Sequence, residues 1–260
     1  MSLQRAIGRR LIAALLLLLP ALAQAQGETV RVAVATNFLQ PLEAIAEALA
    51  AQGGPRVTPV PGATGRHYAQ IVNGAPFDVF LAADRERPRR LEAEGLAVAG
   101  SRFTYARGRL VLWAAPGVAL PSGGLRALDP ADVRRFAIAN PRLAPYGRAA
   151  KEVLRHVGLW DPLQSRLVQG ENVGQTLQYV VTGNASHGLV AKAYARAPNA
   201  PAGRWQLVPA DWHGPVAQDA VLLRDAPHPS AGRAFLEFLR GAEAARILEQ
   251  FGYEPAEAGA

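Results

Sequence analysis

The chain contains no cysteine and only one methionine in 260 residues. The missing cysteines exclude a disulfide framework, a thiolate zinc site, a CxxC redox pair and a cysteine nucleophile. They also exclude a lipid anchor on a processed N-terminal cysteine. Charged residues make up 19% of the chain and aromatic residues 7%. No apolar run is long enough to span a bilayer comfortably. There is no G-x-S-x-G elbow, HExxH pair, G-x-G-x-x-G run or Walker sequence. The five His (67, 156, 187, 213 and 228) show no metal-ligand spacing. No catalytic residue and no direct metal ligand is therefore assigned. The arginines are scattered, without a basic stripe interleaved with aromatics, which speaks against nucleic-acid binding.

What is present is a globular composition. Half the chain is hydrophobic, with 25 Gly and 20 Pro. That length supports one large domain or two lobes of roughly 100 residues each. The formal charge of +7 needs to be located before it is interpreted. Arg5, Arg9 and Arg10 precede an apolar run at 11–19, and Ala23-Gln24-Ala25 is a small-x-small site. This is the pattern of a secretory signal peptide over 1–25, cleaved before Gln26. Arg9-Arg10 raises twin-arginine export, but the surrounding pattern favours the general route. Cleavage leaves 25 Lys+Arg against 21 Asp+Glu, a net of +4. An exported chain without a lipid anchor is expected in the periplasm.

The mature chain reads as alternating strands and helices. Residues 30–35 alternate as a strand, and Leu39, Leu42, Ile45, Ala46 and Leu49 then share one helical face. A short strand at 57–60, a helix after Gly62-Ala63-Thr64-Gly65, a buried strand at 78–82 and a helix at 87–95 follow. This strand–helix rhythm predicts a mainly parallel sheet. Residues 103–115 form a strand-rich run, and 116–130 a Gly/Pro-rich loop. A second α/β series has strands at 136–140, 167–169 and 187–191, with helices after Pro145-Tyr146-Gly147 and Asn172-Val173-Gly174. Residues 216–223 are strand-like. The end, 230–251, is an amphipathic helix broken near Gly241. The expected fold class is α/β with two lobes, 26–108 plus 220–260 and 109–219, joined by a two-strand hinge. Such lobes close around a ligand.

Four strand-to-helix junctions carry the chemistry: Thr36-Asn37, Thr64-Gly65, Tyr146-Gly147 and Val173-Gly174. A helix start leaves backbone N–H groups unsatisfied and carries partial positive charge, so it holds an anion without Lys or Arg. In open α/β sheets these junctions lie where ligands bind. Thr36 and Thr64 add hydroxyls, and Asn37 an amide donor or a cap. A donor-rich, uncharged site suits a small, fully ionised oxyanion. An anion that keeps a proton, such as monohydrogen phosphate, also wants an acceptor, and Glu171 and Asp84 lie near two strand ends. Against this stands plain capping, common at helix starts in every α/β protein. His67 lies one turn into a site helix. Asp78 reads as a turn residue and Asp84 as a helix cap.

The same junctions resemble the periplasmic molybdate-binding proteins that feed ABC importers. The resemblance rests on Ala35-Thr36-Asn37-Phe38, Gly62-Ala63-Thr64-Gly65 with Tyr68-Ala69-Gln70-Ile71, and Asn73-Gly74-Ala75-Pro76 with Asp78-Val79-Phe80. It continues through Ala83-Asp84, Gly100-Ser101-Arg102-Phe103-Thr104-Tyr105-Ala106 with Gly108 and Leu110 to Trp113, and Asn140-Pro141 with Ala144-Pro145-Tyr146-Gly147. It ends with Asn172-Val173-Gly174-Gln175 and Gly252-Tyr253. It covers essentially the whole mature chain. It implies a type II solute-binding fold and a monomer that captures molybdate and tungstate and hands them to an inner-membrane permease. No cofactor and no enzymatic activity are implied. The anion would be held by the Thr36 hydroxyl, a donor from Asn37, the hydroxyl and N–H of Thr64, and the backbone N–H groups of Tyr146 and Val173. Two departures stand out. Ala63 replaces a serine of many members, and Ala191 replaces a ligating tyrosine of some. The branch with Thr-Asn at the first junction, which lacks that tyrosine as well, is the better match. Sulfate or phosphate is the alternative ligand.

Overall fold

The computed structural model describes residues 29–255. The expected signal peptide and its cleavage before Gln26 lie outside them. Among the described residues no helix is long and apolar enough to cross a membrane.

The first sheet is seeded by β1 (Thr29–Ala35). Its side chains alternate between two faces, as the period of a strand requires. Val30, Val32 and Val34 join one core with Phe38, Leu42 and Ile45 of the following turn and helix α1 (Leu39–Ala51). Ala33 joins another core with Ile71 and Phe80. Each large apolar side chain so buried stabilises the fold by roughly 1.5–3 kcal/mol. β2 (Arg56–Gly62) lies on the sheet edge, where Pro59 and Pro61 cost no ladder bond with a further strand. Helix α2 (Thr64–Val72), β3 (Val79–Leu81) and α3 (Glu86–Ala93) complete the first series.

The run expected at 103–115 divides into two strands of different sheets. β4 (Phe103–Gly108) closes the first sheet and β5 (Leu110–Ala114) opens the second, with the crossing at Arg109. The second lobe adds β6 (Phe136–Ala139), α4 (Pro145–His156), β7 (Leu167–Gly170), α5 (Val173–Val181) and β8 (His187–Ala191). A short helix α6 (Lys192–Arg196) and an edge strand β9 (Arg204–Leu207), neither expected from sequence, follow. The chain then returns through β10 (Val216–Leu222) to the first sheet, and α7 (Pro229–Arg240) and α8 (Ala242–Gln250) pack there, broken at Gly241 as expected.

The strand orders are β2-β1-β3-β10-β4 and β7-β6-β8-β5-β9. In each sheet a single strand, β10 or β5, runs against the other four. Both reversed strands are those that have just crossed from the other lobe. The mainly parallel two-lobed architecture is therefore as expected. The lobe boundary was expected at 220, and β10 begins at Val216. All of β10 pairs in the first sheet, and Val216 lies opposite Gly108.

Candidate functional site

Strand register places the four junctions in two level pairs. β1 pairs with β2 so that Ala35 faces Gly62. Thr36 and Ala63-Thr64 therefore leave neighbouring strands at the same height. β6 pairs with β7 so that Ala139 faces Gly170, which starts the Tyr146 and Val173 junctions level as well. The two lobes then meet edge to edge. The Gly65 N–H donates to the Leu143 carbonyl at 2.8 Å, and the Gly174 N–H to the Thr36 hydroxyl at 3.2 Å.

Side-chain capping accounts for one of the four junctions, the start of α5, where Asn172 Oδ1 accepts the Gln175 N–H at 2.9 Å. The N-cap positions before the Thr36 turn, α2 and α4 are Ala35, Ala63 and Ala144, and none makes a side-chain cap bond. Alanine is a poor N-cap, worth roughly 1 kcal/mol less than Ser or Asp there. At α4 and α5 one first-turn donor each is left open. In α5 the Gly174, Gln175 and Thr176 N–H groups go to Thr36, Asn172 Oδ1 and the Asn172 carbonyl. The Val173 N–H has no partner among the described residues. In α4, Pro145 has no N–H, and those of Gly147 and Arg148 bond Ala144, which leaves that of Tyr146. These are the two backbone donors selected from sequence.

The two threonine hydroxyls each accept a backbone N–H. A hydroxyl has two acceptor sites and one proton. The Thr64 hydroxyl accepts from the Ala83 N–H at 3.1 Å, and Thr36 accepts from the Gly174 N–H at 3.2 Å, which fills one acceptor site of each. Asn37 differs from its sequence reading. Its side-chain amide points into the first lobe and donates to Gln218 Oε1 (2.8 Å) and the Tyr253 hydroxyl (3.0 Å). The Tyr253 hydroxyl in turn donates to the Asn37 carbonyl at 2.8 Å. The side-chain amide of Asn37 is thus spent within the first lobe. Gln218, invisible in sequence, and Tyr253, legible only as the close of the last helix, hold that turn.

The carboxylates are occupied elsewhere. Asp84 accepts from the Arg87 N–H at 3.1 Å, as the expected cap, and pairs with the Arg87 and Arg148 side chains. Glu171 pairs with Arg66 across the cleft at 2.7 Å. Asp78 is buried and accepts from the Arg31 and His228 N–H groups at 2.7 and 2.6 Å, a structural role. Further lobe-to-lobe contacts are Arg148–Glu86 (3.2 Å) and Gln40–Asn199 (3.0 Å). Exposed pairs contribute about 0–1 kcal/mol each, which suits reversible closure. Arg109, missed in sequence, ties the two crossings together. Its guanidinium bonds the Val208 carbonyl at 3.1 Å and Glu254 at 2.6 Å.

His67 lies on the buried face of α2. It packs edge-on against Phe77 and Phe80, with Nε2 3.2 Å from the Val34 carbonyl. Burial lowers its pKa from 6.5, and burial does the same at His187. The unfolded chain therefore takes up protons that the folded chain resists, so stability falls as pH drops below about 6.5. Denaturant midpoints at pH 7.5 and 5.5 should show this loss, and a smaller loss in His67→Gln. Among the described residues no group of three or more His, Cys, Asp or Glu is placed to hold a metal ion.

Two lobes, two crossings and neutral donors converging from both sides define a protein of the hinged, ligand-enclosing class. A family model described as bacterial extracellular solute-binding protein matches residues 30–254. The chain belongs to that family. It is 44% identical over 232 residues to molybdate-binding protein ModA of Azotobacter vinelandii, covering 88% of this chain and 91% of that protein. It is 42% identical over 233 residues to ModA of Rhodobacter capsulatus, covering 90% of each. The solved structure of the Azotobacter vinelandii periplasmic molybdate-binding protein superposes with a TM-score of 0.82 at 39% identity, covering 88% of this chain and all of that one.

Proposed function

We propose that the protein is the molybdate-capturing component of an ABC importer. It binds molybdate, and tungstate alike, between its lobes in the periplasm and delivers the anion to the membrane permease as a monomeric carrier rather than a catalyst. The observation that carries this reading is the convergence of open first-turn N–H groups and threonine hydroxyls from the two lobes. Thr36, Asn37 and Thr64 come from one lobe, and Tyr146 and Val173 from the other. A dianion without a proton accepts at every oxygen, and this site offers donors at every turn. Monohydrogen phosphate is disfavoured, because Asp84 and Glu171 are both engaged by arginines. The relatives named above, molybdate binders at more than 40% identity, support the choice of ion. Neutral donors hold a dianion less strongly than a buried arginine pair would, which helps release.

Melting temperatures of residues 26–260 test the reading. A ligand that binds only the native state raises apparent stability, by about 2.7 kcal/mol at a hundredfold excess over Kd. Molybdate and tungstate should raise the melting temperature, whereas sulfate and phosphate at the same concentration should not. A shift with phosphate or sulfate and none with molybdate contradicts the assignment.

A further inference from the structure

Tyr194 lies in α6, three residues beyond the Ala191 that ends β8. It is 9% exposed and packs into the core of the second lobe. Its hydroxyl is buried and has no well-aligned hydrogen-bond partner among the described residues. A buried hydroxyl left in that state is costly, so its surroundings matter. It lies beside the Thr36 side chain. It is also 3.3 Å from the point where a Cβ on Gly174 would stand, and the Thr36 Cβ is 3.2 Å from that same point. Tyr194, Thr36 and the start of α5 therefore meet at one place, and the glycine leaves the room for it. Burial raises the phenol pKa well above its ordinary value, so the group is a donor at physiological pH.

We propose that Tyr194 is a positioning residue for the anion. Its hydroxyl donates to Thr36 Oγ1 and, together with the Gly174 N–H, fills both acceptor sites of that oxygen, so that the Thr36 proton is left for the bound oxyanion. This rests on the oxyanion reading of the cleft. Tyr194 and Gly174 belong to the second lobe and Thr36 to the first. The Thr36 hydroxyl is thus turned into a committed donor only when the lobes are closed, which links closure to grip. The hydroxyl enters the site through Thr36, from a position that the sequence comparison at Ala191 does not reveal.

The test is a double-mutant cycle read by calorimetric titration of molybdate into wild type, Tyr194→Phe, Thr36→Val and the double variant. Tyr194→Phe should bind about tenfold more weakly, the effect of one hydrogen bond. Its ligand-free melting temperature should match wild type. In the Thr36→Val background the same change should have no further effect. Wild-type affinity in Tyr194→Phe overturns the proposal, and so does wild-type affinity in Thr36→Val. An equal loss in both backgrounds also overturns it, because the hydroxyl then acts without Thr36. If wild type itself binds no molybdate, the ligand assignment falls first and this proposal with it.

Discussion

Replacing Gly147 with alanine is expected to lower the melting temperature by about 5–10 °C and to weaken molybdate binding about tenfold or more. Gly147 is the third residue of α4, where the helix start is pressed against the end of β6. A Cβ there would lie 2.3 Å from the Ala139 carbonyl oxygen and 2.7 Å from its carbon. Both are backbone atoms of a buried strand, so no flexible side chain can give way. Overpacking of this kind costs about 1–3 kcal/mol or more. The helix start has to move away from the strand end, and it takes the Tyr146 N–H with it. A displaced donor to a dianion forfeits about 1.5–3 kcal/mol of affinity. Gly214→Ala is the control. Its Cβ would meet only Glu152 Oε2 at 3.6 Å, an ordinary contact. Thermal melts and titrations of both variants decide the matter, and a Gly147→Ala protein with wild-type affinity removes the Tyr146 donor from the site.

The second large effect is expected at Thr36. Thr36→Ala should weaken molybdate about tenfold to a hundredfold, the loss of a charge-assisted hydrogen bond. The ligand-free melting temperature should stay near that of wild type, because the contacts of the hydroxyl, with the Gly174 N–H at 3.2 Å and with Tyr194, both lie across the lobes and not within either core. Thr36→Ser should recover most of the affinity. Two consequences of removing this hydroxyl add together. The anion loses a donor, and the closed form loses a contact between lobes. Stopped-flow dissociation should therefore accelerate more than association slows. An unchanged dissociation rate in Thr36→Ala would remove the hydroxyl from both roles.

Much of the site was legible because it is local. The strands read at 30–35 and at 136–140, followed by small residues and an apolar helical face, locate each junction within a few residues. Register then does the rest, since Ala35 faces Gly62 and Ala139 faces Gly170. What was not legible depends on distant partners. The inward turn of Asn37 is set by Gln218 and Tyr253, which lie 181 and 216 residues away. Nor does the sequence mark which sheet takes β10, since it reads as one apolar strand. Its pairing with β3 and β4 decides that. Arg109 looked like one of many scattered arginines, and only the fold shows that it joins the two crossings. The exposed strand β9 has too short an apolar pattern to stand out. Capping residues and ligand residues also look alike in sequence. They separate only when Ala35, Ala63 and Ala144 are seen to occupy the cap positions themselves.

The central claim is that a donor-rich cleft takes the doubly charged molybdate in preference to sulfate or phosphate. Calorimetric titration of residues 26–260 with molybdate, repeated in the presence of excess sulfate and then of excess phosphate, tests it most directly. The expected result is one molybdate per chain, with an affinity that neither competitor changes appreciably. Binding of phosphate or sulfate at that site in preference to molybdate would contradict the claim.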